Sequence, residues 1–158
     1  MKLNKILTFA LLLLPAFALQ SCLKDQEDIF DSPASARVEK YLSDAQKTLQ
    51  NSQYGWVLEN FPDANQKYGG YTYTLKFQGD TVITHSEQDG SNGVVSLYSM
   101  KNVDGPVLSF DTYNKQLHDF ATPNNDSNVG KGGDFELVID SVSDDLIKVH
   151  GNRNQNTM

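Results

Sequence analysis

Apolar residues recur with two different periods in the middle and C-terminal parts of the chain. After Ser32 and Pro33, apolar side chains return every three or four residues as far as Leu49, as in a helix with one apolar face. Ser32 suits the cap of such a helix, and Pro33 suits its first turn, where the missing N–H is not needed. The spacing predicts one amphipathic helix that ends between Asn51 and Gln53 and packs on a sheet.

Beyond residue 54, apolar and polar positions alternate in short runs, as in β-strands with one buried face. In the clearest run, 71–77, tyrosine, leucine and phenylalanine alternate with threonine and lysine. We expect this aromatic row to pack in the core; a sugar-stacking surface is the alternative. The predicted strands are 56–61, 71–77, 81–85, 94–100, 106–110, 135–139 and 146–150.

These patterns predict a mainly β domain of the α+β class over residues 32–158, an antiparallel meander with one N-terminal amphipathic helix. An open or incomplete barrel is one form that such a meander takes. Residues 111–120 interrupt the alternation and are predicted as a short helix or an ordered loop. Residues 151–158 contain too few apolar side chains to close a sheet. The strand pattern therefore stops without a closing strand.

A different pattern opens the chain. Lys2 and Lys5 precede an apolar run at 6–19 that Thr8 and Pro15 interrupt. The run is shorter than the ~20 residues that a transmembrane helix requires, and its charged start is typical of a secretory signal. Residues 1–21 are therefore predicted to be a signal peptide.

The only cysteine of the chain follows this leader. Cys22 is preceded by Leu19, Gln20 and Ser21, which resemble the lipoprotein box of bacteria. A lone cysteine cannot form an internal disulfide, so its position needs another explanation. The resemblance implies that the thiol receives fatty acyl chains such as palmitate, and that Cys22 becomes a membrane-anchored N-terminus. An ordinary secretory signal with an incidental cysteine is the alternative.

Residues 22–31 are predicted to be a lipidated tether. Lys24, Asp25, Glu27 and Asp28 resemble the export tag of Bacteroides-type surface lipoproteins, which implies the outer membrane and its cell-surface leaflet. The alternative is a solvated linker whose charges keep it extended.

The chain is acidic, with a formal charge of −7, and removal of Lys2 and Lys5 with the leader would change this charge to −9. Binding to a phosphate backbone requires a basic surface, so nucleic acid is excluded as an expected partner. Because no cysteine follows Cys22, packing and not disulfides must stabilise the core.

Residues 53–56, 71–77, 105–114, 117–118 and 132–136 resemble an uncharacterised family of Bacteroides-type outer-membrane lipoproteins that share a domain of unknown function. The resemblance implies a setting beside SusC/SusD-type nutrient-import systems, often with a zinc metallohydrolase lipoprotein. It implies no reaction for this chain. Members of the family are generally longer, which implies that this product is truncated and that its last strand is an exposed edge.

The histidines do not form a recognisable metal motif. His85, His118 and His150 lie far apart, and zinc requires several converging ligands, so no metal or other cofactor is predicted. Asp111, His118 and Asp119 are the strongest acid–base candidates, although a histidine near carboxylates is more often an ion-paired surface residue. No catalytic residue is predicted.

Two glycine- and Asx-rich loops resemble ligand-binding motifs incompletely. The loop 124–130 has oxygen-bearing side chains at alternate positions, but Val129 and Phe135 replace the glycine and glutamate of an EF-hand. A mobile loop is expected there, and a weak calcium site is the alternative. Gly130–Gly133 lacks the spacing and the following helix of a phosphate-binding loop, so its glycines are expected to serve a turn.

Two tripeptides, 80–82 and 140–142, resemble the sites of O-glycosylation in exported Bacteroides-type proteins. They place candidate acceptor hydroxyls at Thr81 and Ser141. Thr81 is the stronger candidate, because it follows a predicted turn.

We expect a surface lipoprotein that serves as an accessory binding or scaffolding component of a nutrient-import system, with SusC/SusD-type proteins as partners. Aromatic and Asx-rich loops suit polar nutrient ligands such as glycans or peptides. The alternatives are a hydrolase of the same nutrients and a non-functional truncated fragment. Convergence of His118 with two carboxylates in a pocket would favour the hydrolase.

Overall fold

The computed structural model describes residues 30–87, 90, 93–123 and 129–158. The chain divides into two units. The first is Met1–Pro33, of which residues 30–33 are described, and the second is the compact unit Ala34–Met158. The predicted helix is confirmed as α1, Ala34–Asn51, and begins one residue later than expected. Its buried residues are Leu42, Ala45 and Leu49, the stripe that the spacing indicated.

Seven strands follow the helix, and each lies where the alternation placed it, within a few residues at either end. They are β1 (Trp56–Asn60), β2 (Tyr71–Gln78), β3 (Thr81–Ser86), β4 (Val94–Asn102), β5 (Pro106–Phe110), β6 (Glu136–Val142) and β7 (Ile147–Gly151). Between β5 and β6 lies α2 (Lys115–His118), which confirms the short helix at 111–120. Asn114 caps it, because its Oδ1 accepts a hydrogen bond from the amide of Gln116 at 3.0 Å.

The strands form one antiparallel sheet in sequence order, β1 to β7, as expected for a meander. β4 pairs with β3 through Val94–Leu97 and with β5 through Tyr98–Asn102. The N-terminal half of β4 thus pairs with β3 and its C-terminal half pairs with β5, and the sheet curls into a half-barrel. A register shift between Ile139 and Ser141 bends the β6–β7 pair further.

The core lies between the concave face of this sheet and α1. Tyr73, Phe77 and Tyr98 are almost fully buried, and the rings of Phe77 and Tyr98 meet edge-on with centroids 4.8 Å apart. The aromatic row of β2 is therefore core, as predicted. Gln50 joins helix to sheet by donating hydrogen bonds to Tyr98 Oη at 2.8 Å and to the Gly79 carbonyl at 2.6 Å.

The C-terminal residues take a more ordered place than their composition indicated. Thr157 forms antiparallel bridges with both Phe61, just after β1, and His150 in β7. Asn156 is fully buried and donates a hydrogen bond from Nδ2 to Asn60 Oδ1 at 2.9 Å. The edge of β7 is therefore paired at its C-terminal end.

Within the described ranges, no helix has the length and apolar character that crossing a membrane requires.

Candidate functional site

Several predicted site residues lie outside the described residues. They are the lipidation site Cys22, the box residues Leu19, Gln20 and Ser21, and the export-tag residues Lys24, Asp25, Glu27 and Asp28. The Asx-rich segment 124–128 of the calcium-loop hypothesis also lies outside them. These assignments stay predictions.

The candidate glycosylation sites are both described. Thr81 is half-buried at the start of β3, and its hydroxyl donates a hydrogen bond to the Gln78 carbonyl at 2.8 Å. Ser141 is exposed at the irregular point of β6. Ser141 is the more exposed of the two residues, and modification of either hydroxyl stays a prediction.

The acid–base candidates have separate partners. The His118 ring is buried, stacks on Phe135 with centroids 4.7 Å apart, and contacts the backbone of Asn114. Burial lowers the pKa of His118, and hydrogen bonds to backbone carbonyls offset only part of this effect. Asp111 pairs instead with Lys101, and Asp119 pairs with Lys131.

His150 pairs with Asp140, with Nδ1 and Oδ2 2.9 Å apart. Across the described segments, no three His, Cys, Asp or Glu residues are grouped so that they could hold a metal. His85 lies exposed on β3. The histidines thus occupy three separate environments, and the convergence that would favour a hydrolase is not among their described contacts.

A serine–lysine cluster that the sequence did not indicate lies where β4, β5 and β6 meet. Lys101 Nζ is 2.9 Å from Ser109 Oγ and 2.7 Å from Asp111 Oδ1, and Glu136 lies 3.6 Å from the same ammonium. The hydrogen bond with Asp111 raises the pKa of Lys101, so the ammonium stays protonated and cannot accept a proton from Ser109. Ser109 is also buried. The cluster is an ion pair between strands and not a nucleophile.

A cleft with a volume of about 540 Å³ lies at one end of the half-barrel. Three segments of the chain form it: the loop after β1, the loop before β6 and the C-terminal tail. Its charged lining residues are Asp63, Lys67, Lys131, Asp134 and Arg153. The other lining residues are Ala121, Pro123, Val129, Gly130, Gly132, Gly133, Phe135 and Asn154. This described lining contains no serine, threonine, cysteine or histidine.

Backbone pairing holds the glycine-rich wall of the cleft against the loop after β1. The amide of Asp63 donates to the Gly132 carbonyl at 3.0 Å, and the amides of Lys131 and Gly133 donate to the Phe120 carbonyl at 2.8 and 3.1 Å. Gly132 has a φ of +74°, so its predicted role in a turn is confirmed. The wall is a fixed surface and not a phosphate-binding loop, because a strand follows it.

Asp134 is the buried polar group of the cleft. Its carboxylate accepts hydrogen bonds from the Asn154 amide at 2.7 Å and from Asn154 Nδ2 at 3.1 Å. Burial raises the pKa of Asp134, while the amides of Asn154 and Arg153 favour its charged form. A Cβ at position 151 would lie 2.1 Å from Asp134 Oδ2, so Gly151 is what allows the carboxylate to reach the end of β7.

The cleft therefore presents both positively charged hydrogen-bond donors and negatively charged acceptors to a ligand. Arg153 is exposed and lies beside the buried carboxylate of Asp134. Lys67 and Lys131 are each tied to an acidic residue, Asp63 at 3.4 Å and Asp119 at 3.9 Å. Such an arrangement can hold a polar molecule by hydrogen bonds and charge.

Sequence reasoning missed this site because three separate segments form it, and the outermost charged members, Asp63 and Arg153, are 90 residues apart in the chain. Gly130–Gly133 were noticed only as a failed phosphate motif, and Arg153 and Asn154 fell in a tail without periodicity. The one local signal was a carboxylate, Asp134, placed directly before a strand and after a glycine pair.

Comparison with known proteins identifies one family. A family model described as a domain of unknown function, DUF4302, matches residues 26–158. No curated protein and no solved structure matches the chain.

Proposed function

We propose a function from the premise that this chain belongs to the DUF4302 family: it is a binding module for a small polar nutrient, attached to the outer membrane through Cys22. The single observation that carries the binding function is the polar cleft at the end of the half-barrel. Its volume of about 540 Å³ lies within the range of small-molecule sites.

The cleft suits a ligand that has hydroxyl groups and a carboxylate. The exposed guanidinium of Arg153 can bind a carboxylate in a bidentate manner, and Lys131 adds a second positive charge. The buried carboxylate of Asp134 and the amide of Asn154 supply hydrogen-bonding groups in fixed positions. An acidic saccharide or a short peptide has this chemistry.

Binding is favoured over hydrolysis by where the reactive side chains lie. His118 is enclosed by Asn114, Tyr113 and Phe135, and Ser109 is buried beside a protonated lysine. A hydrolase would need a nucleophile or an activated water beside the ligand. In the described lining of the cleft, serine, threonine, cysteine and histidine are absent, and the carboxylate of Asp134 is held by hydrogen bonds from Asn154.

The membrane setting of this proposal follows from the leader and the tether. Two or more acyl chains on Cys22 would give stable attachment, whereas one chain gives only marginal binding. The acidic tag Lys24, Asp25, Glu27 and Asp28 supports display on the cell surface. In this setting the module acts beside SusC/SusD-type transport proteins as an accessory component that captures or presents the nutrient.

The cleft is tested by a matched pair of variants, Arg153→Met within it and Lys148→Met on the outer face of β7. A panel of uronate-containing disaccharides and dipeptides is titrated against each protein by calorimetry. We expect Arg153→Met to weaken binding about tenfold or more, because a charge-assisted hydrogen bond contributes about 1.5–3 kcal/mol. Equal affinities in the two variants, or no binding by the unaltered protein, would contradict the assignment.

The anchor is tested by metabolic labelling with a palmitate analogue in the native host. The unaltered chain should carry the label and stay with the outer membrane, and Cys22→Ser should lose both properties. Capture of the labelled protein should recover a transporter pair; recovery of the protein alone would exclude the accessory role.

A further inference from the structure

Phe135 presents an aromatic ring to the polar cleft. It lies directly before β6, lines the cleft and is 39% exposed, whereas the core residues Phe77 and Phe110 are 2% and 1% exposed. Its ring plane makes an angle of 19° with that of His118, and the centroids are 4.7 Å apart, so the imidazole covers one face of the ring. The opposite face and the ring edge are therefore the parts that a ligand can contact.

The ring of Phe135 is supported from behind. His118 lies between Phe135 and Tyr113, whose ring centroid is 5.5 Å from that of the imidazole. The amide of Phe110 donates a hydrogen bond to the Phe135 carbonyl at 3.0 Å, which holds the start of β6 against the end of β5. A ring that is already held in place loses little conformational freedom when a ligand stacks on it.

Charged groups adjoin this ring through two hydrogen-bonded segments. Asp134 precedes Phe135 in the chain, and its carboxylate interacts with the backbone amides of Arg153 and Asn154. The guanidinium of Arg153 and the ring of Phe135 both line the cleft. Three basic and two acidic side chains form the charged lining, an excess of one positive charge in a chain whose formal charge is −7. The charge of the lining therefore favours an anionic ligand.

The rest of the described lining has little apolar surface. Apart from Phe135, its apolar side chains are Ala121, Pro123 and Val129, and three glycines form much of the wall. A ligand that fits needs one apolar face for the ring and polar groups around its rim. A pyranose has this structure, because its axial C–H groups form an apolar face and its hydroxyl groups project from the rim. The C–H groups carry a slight positive charge and the face of an aromatic ring a slight negative one, so the two attract each other.

We propose that Phe135 is the stacking platform for the pyranose ring of an acidic saccharide whose carboxylate is bound by Arg153. The assignment rests on the proposed binding function of the cleft and narrows its ligand from acidic saccharides and peptides to acidic saccharides alone. Phe135 selects for a sugar through the apolar face of the pyranose. Arg153 selects for a charged sugar through a bidentate hydrogen bond with the carboxylate.

Three ligands test this selection by proton NMR of the ligand in the presence of the protein. They are a disaccharide with one uronate residue, the same disaccharide with its carboxylate reduced to an alcohol, and an acidic dipeptide without aromatic side chains. Protons that lie over the face of an aromatic ring are shielded, so the C–H protons on one side of the uronate ring should shift upfield. The reduced disaccharide and the dipeptide should each bind about tenfold more weakly than the uronate, because the first lacks the charge and the second lacks the apolar face.

A matched pair of variants locates the platform. Phe135→Leu keeps an apolar side chain against His118 but removes the ring, so it should weaken uronate binding about tenfold and abolish the upfield shift. Phe135→Tyr should retain both properties. The control is Tyr113→Leu, which removes the other ring of the same stack, 68% exposed and outside the described lining of the cleft. It should leave the affinity and the upfield shift unchanged.

The outcomes separate this proposal from the binding function on which it rests. Equal uronate affinity in Phe135→Leu and the unaltered chain, the absence of an upfield shift from bound uronate, or tighter binding of the dipeptide would overturn the platform and leave a binding cleft. The absence of binding by all three ligands would overturn both. If Phe135→Leu does not fold, the upfield shift and the three affinities of the unaltered chain decide the question.

Discussion

At the residue scale, burial decides the chemistry of His118. Its ring lies between Phe135, with centroids 4.7 Å apart, and Tyr113, with centroids 5.5 Å apart, and desolvation lowers its pKa. Protonation of His118 is therefore less favourable in the folded protein than in the unfolded chain, where the pKa of histidine is about 6.5. Burial of the His118 ring therefore makes the stability of the folded protein depend on pH.

Replacement of His118 by glutamine isolates this dependence. Because the folded pKa is lowered, the stability associated with neutral His118 is present above about pH 6.5 and is lost as the pH falls through the folded pKa. The free energy of unfolding of the unaltered protein minus that of His118→Gln should thus decrease between pH 7.5 and pH 5. Urea unfolding at several pH values measures it, and a constant difference would contradict the assignment.

Lys101 is the second residue whose surroundings predict a measurable effect. In Lys101→Met, the carboxylates of Asp111 and Glu136 lose their shared cation between the strands. We expect a loss of about 1 kcal/mol in unfolding free energy, below the about 1.5–3 kcal/mol of a charged hydrogen bond because Lys101 is partly exposed and solvent screens its charge. The loss should shrink in 1 M NaCl, where screening is strong.

Lys40→Met is the matched control, since its ion pair with Asp44 lies exposed on α1. We expect no measurable loss of stability there. A control that is destabilised as much as Lys101→Met would show that removal of a lysine, and not the cluster, causes the effect.

At the scale of elements, local patterns predicted the helix and all seven strands, because each except the largely buried β5 has one face in the core and one towards solvent. The bounds differ most at β6, predicted as 135–139 and observed as Glu136–Val142. Its last residues, Ser141 and Val142, pair with β7 across a register shift, and this pairing has no local pattern. Tertiary pairing extended the strand where alternation had ended.

The packing of α1 on the sheet can be tested by shortening one side chain of its buried face. Leu49→Ala removes a buried side chain whose neighbours cannot close the space, so unfolding free energy should fall by about 2–4 kcal/mol. The control, Ser43→Ala on the exposed face of the same helix, should change it by less than about 0.5 kcal/mol. Denaturant unfolding measures both, and a similar change in the two variants would mean that the helix does not pack on the core.

At the scale of the whole molecule, the C-terminal tail links the first strand to the last. Asn156 and Asn60 form a buried hydrogen bond although 96 residues separate them. Thr157 pairs with both ends of the sheet beside this bond. The tail also supplies Arg153 and Asn154 to the cleft, so the ends of the sheet and the proposed ligand site depend on the same short segment.

A double-mutant cycle tests that link. Asn156→Ala removes the donor to the buried Oδ1 of Asn60 and should cost about 1–3 kcal/mol of unfolding free energy. Asn60→Ala in the same protein should then cost less than it does alone, because the two residues are coupled. Additive losses measured by urea unfolding would mean that the bond does not join the tail to β1.

Residues with a local signature could be predicted, and residues of the cleft could not. The aromatic row of β2 was assigned to the core because a period of two puts its large side chains on one face. Asp63, Asp134 and Arg153 have no shared period or spacing, and only the folding of three distant segments brings them together. Ser109 and Lys101 likewise meet across strands that hairpins place side by side.

By itself, the sequence determined the helix, the strands, their antiparallel order, the acidic charge and the expectation of a lipid anchor at Cys22. These follow from local side-chain periods, short turns and a single cysteine after an apolar leader. Only the tertiary structure decided the polar cleft, the enclosure of His118, the lysine cluster and the pairing of Thr157 with both ends of the sheet. The physical reason is that contacts between distant residues depend on how far the sheet curls, and local patterns do not specify that curvature.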